Sequence, residues 1–153
     1  MLGQEGSFTL RGLANYVHKL TVDNGVIIDH VADLGNPDAG GVPEWRYNFD
    51  LTYAGGPIKF GLYYRYIAGG RFGIPPASFP TLASQQKFGS RQYVDASVAY
   101  KLTGNVELYG KVDNIFNIAP PIVPNSITQP TVANAQMYDK IGRYFVGGVR
   151  VTF

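Results

Sequence analysis

The sequence predicts an all-β chain, an antiparallel transmembrane β-barrel segment of about six strands belonging to a larger barrel. Three observations carry this expectation. Period-two alternation of apolar and polar residues recurs six times, with no sustained helical period. The connections between these stretches are alternately very short and very long. The charges in the stretches keep to one parity.

The alternating stretches lie near residues 6–20, 43–54, 57–68, 91–102, 105–116 and 143–153. The second and third meet at Ala54-Gly55-Gly56-Pro57 and the fourth and fifth at Thr103-Gly104-Asn105. Both read as tight hairpins in which Gly and Asn supply positive φ. The other connections, near 21–42, 69–90 and 117–142, are rich in Gly, Pro, Asn and Ser. Structureless loops beyond about 12–15 residues are unusual inside a compact soluble domain. Short turns at one end and long loops at the other are the rhythm of an outer-membrane barrel.

Parity is the sharpest clue. In the second strand Glu44, Arg46 and Asp50 oppose Trp45, Tyr47, Phe49, Leu51 and Tyr53. In the third, Lys59 and Arg65 oppose Ile58, Phe60, Leu62, Tyr64 and Tyr66. Asp95, Ser97 and Lys101 oppose Val94, Ala96, Val98, Tyr100 and Leu102, and Glu107, Lys111 and Asp113 oppose Val106, Leu108, Gly110 and Val112. Arg150 and Thr152 oppose Phe145, Gly147, Val149, Val151 and Phe153. The first strand is less clean: Phe8, Leu10, Gly12, Ala14 and Tyr16 share a face, but Leu13 and Val17 fall on the polar side and His18 points outward. A soluble sheet with one wet face also gives such a pattern. Strands of about 10–12 residues, long enough to cross an apolar band, favour the membrane. So do aromatics near strand ends, as in an interfacial girdle. The polar face mixes signs, which lets neighbouring strands pair charges across a lumen wall.

Composition narrows the function classes. The 153 residues include 19 Gly, 10 Pro, 11 Tyr and 9 Phe, suited to strands and turns. Only 16% are charged, against roughly 25% in soluble domains, and the net charge of +2 gives no nucleic-acid surface. Without cysteine there is no disulfide scaffold, thiolate metal site or cysteine nucleophile. No apolar run is long enough for a membrane helix. Met1-Leu2-Gly3-Gln4-Glu5 does not read as a leader, so an outer-membrane chain is expected to begin upstream.

Several strings then match a known pattern. Val42-Pro43-Glu44-Trp45-Arg46 opens a strand, Tyr66-Ile67-Ala68-Gly69-Gly70 closes the next, and Tyr93-Val94-Asp95 lies at the start of another. They are followed by Val112-Asp113-Asn114-Ile115-Phe116-Asn117, Ala119-Pro120-Pro121 and Tyr138-Asp139-Lys140-Ile141-Gly142-Arg143-Tyr144-Phe145. In order and spacing over residues 42–153 these resemble TonB-dependent receptors, and residues 6–20 resemble the preceding strand. The resemblance implies a barrel of about 22 strands around an N-terminal plug, importing a siderophore, vitamin or oligosaccharide through contact with the TonB complex. It implies outer-membrane lipid of a Gram-negative bacterium as surroundings, with no nucleic-acid partner. Residues 1–153 then form the C-terminal part of the barrel domain, without plug or signal peptide. Six strands are too few to close a membrane barrel, so the chain is expected to be a fragment that cannot transport alone.

The same resemblance makes Phe145, Val149, Val151 and Phe153 a signal for the barrel-assembly machinery; on the residues alone, they simply meet lipid. The long loops carry the candidate substrate contacts: Arg71, Phe72, Phe79, Gln85 and Phe88, with Asn125 and Gln129. No catalytic constellation, cofactor motif or metal set stands out, so no enzyme is expected. His18 and His30 are isolated, and Asp113-Asn114 reads as strand-end chemistry more simply than as a cation site. Gly69-Gly70-Arg71 has no following helix and is not a phosphate loop. Gly147-Gly148 marks a kink or a close backbone approach. A porin segment and a soluble β-sheet binding module remain the alternatives.

Overall fold

The computed structural model describes residues 5–23, 25, 27–34, 41–71, 87–124, 130–132 and 137–153. The strands are β1 (Ser7–Tyr16), β2 (Thr21–Asp23), β3 (Ile27–Asp29), β4 (Trp45–Gly55), β5 (Ile58–Ile67) and β6 (Gly70–Arg71). They continue as β7 (Lys87–Phe88), β8 (Arg91–Lys101), β9 (Val106–Asp113), β10 (Ile122–Pro124), β11 (Pro130–Val132) and β12 (Tyr144–Val151). The six long strands form one antiparallel sheet in the order β1-β4-β5-β8-β9-β12, so each pairs with the next long strand along the chain. β1 and β12 are its open edges.

The registers confirm the parity argument strand by strand. Phe8, Leu10 and Tyr16 face Tyr53, Leu51 and Trp45, and Tyr47, Phe49 and Leu51 face Tyr66, Tyr64 and Leu62. Phe60, Leu62 and Tyr64 face Val98, Ala96 and Val94; Ala96 and Tyr100 face Val112 and Leu108. Val106, Leu108 and Val112 face Val151, Val149 and Phe145. A slip of one residue at any pair would turn a whole strand inside out, so this agreement fixes one apolar face across the sheet. The register also settles β1: Leu13 lies opposite Asn48 on the polar face. Val17 adds one more ladder bond, to the Glu44 carbonyl at 2.9 Å, and the strand then ends.

The two tight turns differ in mechanism. Gly56 has φ of 53°, and the Gly56-Pro57 pair closes a two-residue hairpin between Gly55 and Ile58. The β8–β9 turn does not use the expected positive φ at Gly104 or Asn105. The Thr103 hydroxyl instead accepts the amides of Asn105 and Val106, at 3.3 and 3.1 Å. The three long connections are also not structureless. Each carries a short antiparallel strand pair, β2–β3, β6–β7 or β10–β11.

Burial is concentrated at the loop end of the sheet. Ile67, Tyr93 and Tyr138 are buried together, with Phe88, Ile118 and Met137 packed on them. Leu34 is buried against Gly70. The apolar sheet face is open: Phe8 is 74% exposed and Phe145 75%. A face of this extent is what a monomeric soluble domain avoids and what a barrel wall presents to lipid. Aromatic rings sit at both ends of it. Tyr16, Trp45, Tyr47 and Tyr66 form a row at the loop end with centroids 4.4, 5.5 and 5.2 Å apart. Phe8 and Tyr53 meet at 4.7 Å at the turn end.

Candidate functional site

The opposite face collects the charges. Alternation turns Asp50, Lys59, Tyr63, Asp95, Glu107, Lys111 and Arg150 to one side, where they line a concavity of about 470 Å³. Arg11 stands directly across from Asp50, and Lys101 and Arg150 flank Glu107 on the two neighbouring strands. The Arg150 guanidinium donates to Glu107 at 2.6 Å, and Lys111 pairs with Asp113 at 2.7 Å. The Tyr63 hydroxyl donates to Asn48 at 3.2 Å, and Arg65 stacks 4.8 Å from the Tyr93 ring centre. Buried Arg46 Nε and Arg65 Nε have no hydrogen-bond partner among the described residues. Such a wall can hold water or a second polypeptide surface. In Gly148 the sheet makes a close approach: a Cβ there would run into the Tyr109 ring.

Two polar clusters lash the loops to the sheet. In the first, the buried Asp33 carboxylate accepts from the Arg71 guanidinium and faces His30 Nδ1 at 3.2 Å. The Arg71 amide donates to the Ala32 carbonyl at 2.7 Å, so the connection after β3 and strand β6 are tied twice. In the second, Asn114 (φ 51°) donates to the Ile118 carbonyl at 3.0 Å and to Asp139 at 2.9 Å, and accepts the Ile118 amide at 2.8 Å. Asp95 accepts the Asn114 amide at 2.7 Å. Asn114 thus ties the end of β9 to the connection after it, while Asp113 pairs with Lys111. No group of three or more metal-ligating side chains occurs among the described residues.

Among the described residues outside the six-stranded sheet, two groups titrate away from their ordinary values. Asp29 is held below the usual 3.8, first by the Leu20 amide and then by that of Val31. Burial pushes the Tyr138 phenol up to about 12.

The sequence-predicted loop residues are distributed unevenly. Arg71 is engaged by Asp33, though half-exposed, and Phe88 packs edge-on against Tyr138 with centroids 6.5 Å apart. Phe72, Phe79, Gln85, Asn125 and Gln129 lie outside the described residues. Phe145, Val149 and Val151 line the outward face of β12, and Phe153 follows it, fully exposed. His18 accompanies Tyr16, with 3.2 Å between Nδ1 and the hydroxyl. Sequence reasoning gave Asp33 and Asp139 no role of their own, because Arg71 and Asn114, which they hold, lie 38 and 25 residues away.

Residues 2–115 match the family described as TonB dependent receptor-like, beta-barrel. The comparison with curated proteins and that with solved structures each found no match. The matched span is well over half of the chain and contains β1 through β9. β12 lies beyond it but joins β9 in register with the same outward face, and so continues the wall. The chain thus belongs to the TonB-dependent receptor β-barrel family and forms a segment of an outer-membrane receptor wall.

Proposed function

We propose that this chain is the C-terminal wall of a receptor that imports a scarce nutrient, a siderophore, vitamin or oligosaccharide, across the outer membrane of a Gram-negative bacterium. The observation that carries the reading is the division of one six-stranded sheet into an uncharged outward face and a concave face of mixed charge. In this reading the rest of a longer chain closes the two open edges. A plug seats against the face lined by Asp50, Lys59, Glu107 and Arg150, and the TonB complex engages the parent protein. The role is transport, not catalysis.

Substrate contact falls to the loop end. Phe72, Phe79, Gln85, Asn125 and Gln129 are the proposed contacts, together with the exposed part of the Arg71 side chain. Phe88 shapes the mouth from within the packed cluster. Phe145, Val149, Val151 and Phe153 serve as the recognition strip for the barrel-assembly machinery. The test is fractionation of cells expressing the full-length gene. The expected product sits in the outer membrane and migrates faster unheated than heated. Recovery in the soluble fraction, with no heat-dependent shift, contradicts the reading.

A further inference from the structure

One position breaks the apolar rule of the outward face. Across all six long strands, the outward residues are aliphatic, aromatic or glycine, except Gln92 of β8, which pairs with Tyr66. An exposed amide on a lipid-facing surface is unfavourable unless something polar meets it. Its oxygen accepts the Tyr64 hydroxyl at 3.2 Å, which leaves the amide hydrogens to donate outward. The two residues line a groove of about 560 Å³ with Arg91, Val94, Phe116 and Ile118. Tyr64, Gln92 and Val94 put this groove on the outward side at the loop end, at the level of the Tyr16–Trp45–Tyr47–Tyr66 row. Phe116, 66% exposed, supplies an apolar wall. Arg91 supplies charge: its guanidinium donates to the carbonyls of Ala119, Gly89 and Ser90, which hold it in place without neutralising it.

We propose that this groove binds one anionic membrane lipid, its head held by Gln92, Tyr64 and the Arg91 charge and its acyl chain laid on Val94 and Phe116. The chemistry is complementary at both ends: a cation and free donors at interfacial depth, with an apolar slot on the membrane side. The proposal rests on the reading that this face meets lipid.

The test uses the intact receptor carrying this chain, purified in detergent and observed by native mass spectrometry during titration with phosphatidylglycerol or phosphatidylcholine of equal acyl length. The wild type is expected to retain one phosphatidylglycerol, about tenfold more tightly than the Gln92→Leu, Tyr64→Phe double variant. Arg91→Gln is expected to lose the preference for phosphatidylglycerol over phosphatidylcholine. Neither outward substitution adds polarity to the lipid face, so heat-modifiable migration verifies that the variant barrel is folded. Equal retention by wild type and double variant, or of the two lipids by wild type, overturns the proposal. Release from membranes without detergent would instead overturn the membrane reading beneath it.

Discussion

Asp33 carries a fully buried carboxylate between His30 and the half-exposed Arg71 guanidinium. Removing a partner from such a group leaves desolvated charge behind, at a cost of about 1–3 kcal/mol. Arg71→Ala is therefore expected to accelerate hydrogen exchange at the Ala32 amide, bonded to the Val42 carbonyl at 2.7 Å, by about tenfold or more. An unchanged rate would mean that the ion pair does not hold this loop. Asp29 makes a pH-dependent contribution nearby. Its folded pKa is depressed, so the stabilisation is complete above 3.8 and disappears as pH falls below that value. Carboxyl NMR is expected to show Asp29 titrating below 3.8, and Asp29→Asn to remove the pH dependence of the β2–β3 hairpin. Arg71 and Phe88 were legible in the sequence only as candidate loop contacts for a substrate. Their partners did not, because Asp33 lies 38 residues from Arg71 and Tyr138 packs on Phe88 from another loop. A long-range pair leaves no local signature.

At the scale of elements, alternation located every long strand. The stretch read at 57–68 is β5 at Ile58–Ile67, and that read at 91–102 is β8 at Arg91–Lys101. The stretch at 6–20 overran β1: the register with β4 stops at Tyr16, just where Val17 and His18 break the alternation. The short strand pairs inside the long connections were invisible, since strands of two or three residues are too short to display a period. Two adjacent substitutions on β8 test the assignment of faces. Ala96 points outward near the middle of its strand and Ser97 inward. Ala96→Arg is expected to destabilise the intact barrel by about 2–4 kcal/mol in lipid, and Ser97→Arg by far less. Urea unfolding in vesicles reads the difference; equal losses would show that the two faces meet the same medium.

For the whole molecule, six strands leave two ladders open, and the buried residues cluster at the loop end instead of beneath the sheet. Stability then depends on closure by further strands and on lipid against the outward face, as in barrels that cross a bilayer. In such a wall the even-numbered residues of β5 face lipid and the odd-numbered ones the interior. The chain contains no cysteine, so single Cys substitutions at each position from 58 to 67 can be spin-labelled without background. The direct measurement is electron paramagnetic resonance of the intact receptor in bilayers, comparing relaxation by dissolved oxygen, which concentrates in lipid, with relaxation by a water-soluble nickel chelate. Oxygen accessibility is expected to oscillate with a period of two and to peak at 58, 60, 62, 64 and 66. A flat profile, or even positions as open to the nickel chelate as the odd ones, would contradict it.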